Sequence, residues 1–76
     1  MNEDVIRNVL HYFGEPGGWP AGSFTSNIMR AYQGADPGNR ARLRLGFPEL
    51  AEAMDLVLGS MEGIDKLRDR LKENPE

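Results

Sequence analysis

The chain of 76 residues contains no cysteine. That excludes the disulfide staples on which many small secreted domains rely, and it excludes thiolate zinc sites. A reducing, intracellular setting is therefore expected. Long apolar runs are absent too: Leu56-Val57-Leu58 is the longest, far short of the ~20 residues that cross a bilayer, so no membrane contact is expected. Met1-Asn2-Glu3-Asp4 is acidic, and no basic stretch leads into an apolar run as in a signal peptide. The cytoplasm is the expected location. Histidine is reduced to His11 alone. An excess of one charge sign is missing as well, because the formal net charge is only −3.

What is present is a small apolar fraction, 39%, interrupted by nine glycines and five prolines. A chain of this size folds as one domain and buries only about 60% of the surface its unfolded form exposes, so every large apolar side chain is needed inside. A single helical domain over 1–72 is expected, with 73–76 as a frayed tail.

Periodicity predicts helices almost throughout. Asn2 is an N-cap for a first helix to about Phe13, with Glu3 and Asp4 in its first turn and Ile6, Val9, Leu10 and Phe13 on one face. Gly14 ends it. Residues 15–22, rich in Pro and Gly, form a long loop. Ser23 is the expected N-cap of a second helix to about Gln33, with Phe24, Ile28, Ala31 and Tyr32 turned inward. Asp36-Pro37 opens a third, ending at Leu45 before Gly46. Pro48 opens a fourth, with Leu50, Ala53, Met54, Val57 and Leu58 as its apolar stripe and Glu49, Glu52 and Asp55 on the wet side. The fifth runs from about Met61 to Lys72 with Ile64, Leu67 and Leu71 inside, and Glu62 pairs with Lys66 at i, i+4. Arg40-Ala41-Arg42-Leu43-Arg44-Leu45 alternates like a strand, but lies at helical distance between a proline start and a glycine stop. The expected fold is a compact, all-α single domain of about five short helices.

Few residues arrange themselves for chemistry. Gly17 and Gly22 have phosphate-loop spacing before a helix, but the loop lacks the lysine that neutralises terminal phosphates and follows a helix rather than a strand. A connecting loop is expected. His11 and Glu15 supply neither a triad nor the three or four ligands of a zinc site. The acidic pairs Glu49/Glu52 and Asp65/Asp69 read as solvated surface. No catalytic residue, metal ligand or cofactor site is expected, and the chain is not expected to be an enzyme.

The charges are unevenly placed. Residues 28–48 carry Arg30, Arg40, Arg42 and Arg44 against a single Asp36, whereas residues 1–27 and 49–76 are acidic. With the preceding helix this basic spot has a helix-turn-helix outline, but the third helix is barely two turns long, and Arg42 points away from Arg40 and Arg44. The competing expectation is that the arginines pair with Glu49, Glu52 and Asp55. Trp19, between Gly18 and Pro20, is read first as a lid over the core and second as an exposed anchor. Phe47 is read first as a staple between helices and second as an exposed anchor.

The phrase Phe13-Gly14-Glu15-Pro16-Gly17-Gly18-Trp19-Pro20-Ala21-Gly22-Ser23-Phe24-Thr25 resembles small open reading frames of actinobacterial phages, of mycobacteriophage type. The similarity continues through residues 35–43 and 46–48, so it spans most of 13–54. It implies a phage origin and a common fold, with the host cytosol as location, and transfers no catalytic residue. The functional expectation is a small non-enzymatic protein that binds a host or phage protein through Trp19, Phe24, Arg40 and Arg44. Two alternatives stand beside it: a nucleic-acid-associated regulator using Arg30, Arg40, Arg42 and Arg44, and a structural component that self-associates through the stripe of the fourth helix. The expected state is a monomer or weak homodimer.

Overall fold

A computed structural model describes residues 1–73, and within them the chain forms five α-helices and no strand. Helix α1 (Glu3–Tyr12) starts where expected, because the Asn2 side chain accepts the Asp4 N–H and satisfies one orphan donor of the first turn. It ends at Phe13, followed by Gly14 at a positive φ of 74°. Helix α2 (Ser23–Gly34) corrects the expected cap. Ser26 N–H donates to the Gly22 carbonyl, so Gly22 is the N-cap and Ser23 is the first helical residue, without a side-chain cap.

Helix α3 (Pro37–Gly46) begins at Asp36, whose carboxylate accepts the Asn39 N–H at 2.8 Å. Phe47 separates it from helix α4 (Pro48–Gly59). Helix α5 (Gly63–Glu73) begins two residues later than expected, since residues 61 and 62 form a turn that leaves Met61 98% exposed. Of the expected tail, Glu73 closes α5 and the rest lies outside the described residues.

Helix α4 is the central element and packs against each of the other four. Two of its four buried residues are alanines, Ala51 and Ala53, which let neighbouring helices approach closely beside Leu50 and Met54. Ile6, Val9 and Leu10 from α1, Met29 and Tyr32 from α2, and Leu67 from α5 complete the core. Being surrounded changes the expected stripe: Ala51 is buried, Val57 is half-buried and Leu58 is exposed. On α2 the inward face is Met29 and Tyr32, with Thr25 and Ile28 half-buried at the same helical spacing. Phe24 and Ala31, expected inside, are exposed. The buried stripe is thus set by Thr25 rather than Phe24.

The loop between α1 and α2 is strapped down rather than loose. Gly18 lies so close to the backbone of Arg7 and His11 that a Cβ would overlap it. Arg7 Nη1 donates to the Gly17 carbonyl at 2.6 Å, Trp19 N–H donates to the Arg7 carbonyl, and Asn8 Nδ2 donates to the Trp19 carbonyl. From the other side Arg68 Nη2 donates to the Pro16 carbonyl at 2.8 Å and approaches Glu15 Oε1 at 3.4 Å. Gly63 makes the second tight approach, against the backbone of Leu56 and Val57, and so fixes α5 on α4.

Candidate protein-binding surface

Three helices meet around an open groove of about 440 Å³. Val5 and Asn8 come from α1, Thr25 from the first turn of α2, and Phe47, Pro48, Glu49 and Leu50 from the start of α4. Phe47 is held in place because it caps two helices at once: its N–H donates to the Leu43 carbonyl and its carbonyl accepts the Ala51 N–H. Phe24 leans on it with ring centroids 5.8 Å apart, yet remains 66% exposed. Phe47 is therefore the staple and Phe24 the exposed aromatic of the pair.

Trp19 is tied to α1 through its backbone, where its carbonyl accepts from Asn8, a groove-lining residue. Its ring lies outside the core, 42% exposed, with the Arg7 guanidinium 4.9 Å from the ring centroid. The lid expectation is corrected here. The loop is fastened to α1 at Arg7 and Asn8, and the indole lies against the Arg7 guanidinium rather than among the core residues.

Arg40 and Arg44 fall into a different group. Arg40 Nε donates to the Tyr32 carbonyl at 3.0 Å and Arg40 Nη2 to the Gln33 carbonyl at 2.9 Å, which satisfies carbonyls at the end of α2. Its guanidinium also lies 5.3 Å from the Tyr32 ring centroid. Arg44 Nη2 donates to the Tyr32 hydroxyl and, at 3.1 Å, to Asp55 Oδ2. Asp55, expected on the wet side, is half-buried in this network. Burial first, and then the hydrogen bond to Asp55, push the Tyr32 phenol above its ordinary value of 10.0, while Arg44 acts in the opposite sense. The Asp55 hydrogen bond is the first of the influences that raise Arg44.

Arg30 and Arg42 are exposed and bond to neighbours three residues back, Asn27 and Asn39. A second hollow, about 330 Å³, is lined by Arg44, Pro48, Glu52, Asp55 and Leu56. Pro48 lines both hollows. The structure leaves both Trp19 and Phe24 exposed, the first against Arg7 and the second against Phe47, and joins Arg40 to Arg44 through Tyr32.

Sequence reasoning did not find Asn8 as a groove residue, nor Arg7 and Gly18 as the residues that hold the Trp19 loop on α1. Glu3 and Arg7 at i, i+4 were the available indication, and they form an ion pair at 2.9 Å. His11 is exposed, and Glu15 faces Arg68. Among the described residues no three His, Cys, Asp or Glu side chains converge as metal ligands would, and no helix is long and apolar enough to cross a membrane.

Fold and surface together define a small five-helix domain with an aromatic-edged groove. Comparison with protein-family models, curated proteins and solved structures yields no match. The functional reading accordingly rests on the geometry of this chain.

Proposed function

We propose that the protein is a small non-enzymatic module that binds a host or phage protein and alters its activity, acting in the host cytosol. The observation that carries this reading is Phe24: a domain short of apolar residues leaves this ring 66% exposed, braced against Phe47 at the edge of an apolar groove. Braced aromatics suit recognition, because little side-chain freedom remains to be lost on binding. Trp19 adds a second ring held by Arg7 and the fastened loop.

The test is affinity capture from an actinobacterial lysate, followed by titration of the purified captured protein against wild type, Phe24→Ala and Trp19→Ala. Each substitution is expected to weaken binding at least about tenfold, while the Phe24→Ala protein keeps its melting temperature. No specific partner, or equal binding by all three proteins, overturns the reading.

The nucleic-acid alternative has less support, because Arg40 and Arg44 are engaged by Tyr32, Gln33 and Asp55. Self-association through the α4 stripe is disfavoured for a similar reason: Leu50, Ala53 and Met54 are inside the core.

A further inference from the structure

The groove and helix α3 are complementary to each other. Among the groove residues the ionisable side chain is the carboxylate of Glu49, set against an apolar lining of Val5, Phe47, Pro48 and Leu50. Glu49 Oε1 accepts the Asn2 N–H at 3.1 Å, which holds the carboxylate at the exposed rim. Asp4, exposed, lies one turn before Asn8 on the same face of α1. Arg7, the arginine of the same helix, is turned to Glu3, Gly17 and the Trp19 ring.

Helix α3 presents the opposite character. It contains no fully buried residue. Ala41, Arg42 and Leu45 share its outer face at i, i+1 and i+4, all exposed, with Leu45 at 87%. One surface is therefore an acidic apolar groove and the other a basic apolar ridge. The two cannot meet within one molecule, because Leu45 and Phe47 are joined by a single residue at the α3–α4 corner. Between two molecules that adjacency is an advantage: a two-fold axis near the corner lets each ridge enter the other copy's groove and makes every contact twice.

We propose that a second copy of this chain docks here, with Leu45 seated in the groove and Arg42 facing Glu49 of the opposing copy. The interaction does not rest on the partner-binding reading: it uses the same Phe47-lined groove but enters it through α3 of a second copy rather than through Phe24. It strengthens as salt is lowered, since Arg42 and Glu49 are at the rim.

The test is sedimentation of the full chain over a concentration series, using wild type, Leu45→Ser, Arg42→Glu and Glu49→Lys. Wild type is expected to pass from monomer to dimer as concentration rises, and each variant to weaken dimerisation at least about tenfold. The decisive arm mixes the Arg42→Glu and Glu49→Lys proteins. Each charge variant alone sets like charges against each other at both contacts. In the mixed dimer the two substituted positions face each other with opposite charges at one contact, and the native Arg42–Glu49 pair forms at the other, so dimer is expected to return. All three positions are exposed, and helical circular dichroism of each variant verifies that it folds. A wild type that stays monomeric, a dimer indifferent to the variants, or a mixture that does not recover each overturns the proposal, and none of these bears on capture through Phe24.

Discussion

The Tyr32 hydroxyl donates to Asp55 Oδ1 at 2.6 Å and accepts from Arg44 Nη2 at 2.8 Å, tying α2, α3 and α4 together at one oxygen. The ring below it is 1% exposed, so packing and polar contacts act at the same residue. Tyr32→Phe keeps the packing and removes the hydroxyl. It is expected to cost ~1–2 kcal/mol, because one bond to a charged carboxylate is lost while Arg44 and Asp55 retain each other. Tyr32→Ala is expected to cost ~3–5 kcal/mol, as for other large core truncations. Urea unfolding of both variants measures the difference.

The same oxygen gives stability a dependence on alkaline pH. The phenol is raised above 10.0 in the folded protein, by burial first and by Asp55 second. Between the unfolded and folded values the native state holds a proton that the unfolded chain has released, so stability falls as pH rises through that window. The contribution is fully present below pH ~10 and is lost as pH rises through the folded value. Urea midpoints recorded from neutral to strongly alkaline pH are expected to drop in wild type above pH ~10. They should drop less in Tyr32→Phe.

Much of the helical layout is legible in local sequence. Asn2, Asp36-Pro37 and Pro48 each mark a helix start by satisfying or lacking a backbone donor, and such signals need no knowledge of the rest of the chain. Periodicity identified Tyr32 as buried but also placed Phe24 inside, since the two are eight residues apart on nearly the same face. Where the first turn of α2 ends relative to the core is a tertiary fact. The cluster of arginines was legible as charge, but a charge count does not reveal that Arg40 meets carbonyls at the end of α2. Gly18 was legible as a breaker, whereas its contact with the backbone of Arg7 and His11 depends on how the loop folds back.

The glycines divide by what surrounds them. A Cβ at Gly18 or Gly63 would overlap backbone atoms, and Gly17 has a φ of 91°. Gly18→Ala and Gly63→Ala are expected to destabilise by ~1–3 kcal/mol or to shift the loop and α5 outward. Gly34 and Gly46 end helices with open space around them. Alanine there is expected to be neutral or stabilising by ~0.4–1 kcal/mol through the unfolded chain. Thermal melting of the four variants should sort them into these two groups.

Arg7 holds the loop through the Gly17 carbonyl and the Trp19 ring, and is itself positioned by the ion pair with Glu3 one turn back on α1. Arg7→Gln keeps some hydrogen bonding and loses the cation. The indole is then expected to become more exposed, with a red-shifted emission and easier quenching by iodide, at a stability cost of ~1 kcal/mol. Trp19 is the single tryptophan, so its fluorescence reports this loop without interference.

Arg40 separates a structural role from a binding role. Its guanidinium serves two carbonyls at the end of α2 and lies beside the Tyr32 ring. A lysine ammonium is a point donor without that planar fork, so Arg40→Lys should recover less than half of what Arg40→Ala loses, itself ~1–2 kcal/mol. Arg30→Ala and Arg42→Ala, by contrast, remove exposed side chains bonded to Asn27 and Asn39 and are expected to stay within about 0.5 kcal/mol of wild type. Urea denaturation reads all four. The ordering also decides how a gel-shift experiment is interpreted: a loss of nucleic-acid binding in Arg40→Ala reports damage to the α2–α3 junction, whereas Arg30 and Arg42 can be changed without it. Wild type is expected to give no salt-sensitive shift, and a shift that Arg30→Ala and Arg42→Ala both weaken would establish the nucleic-acid alternative instead.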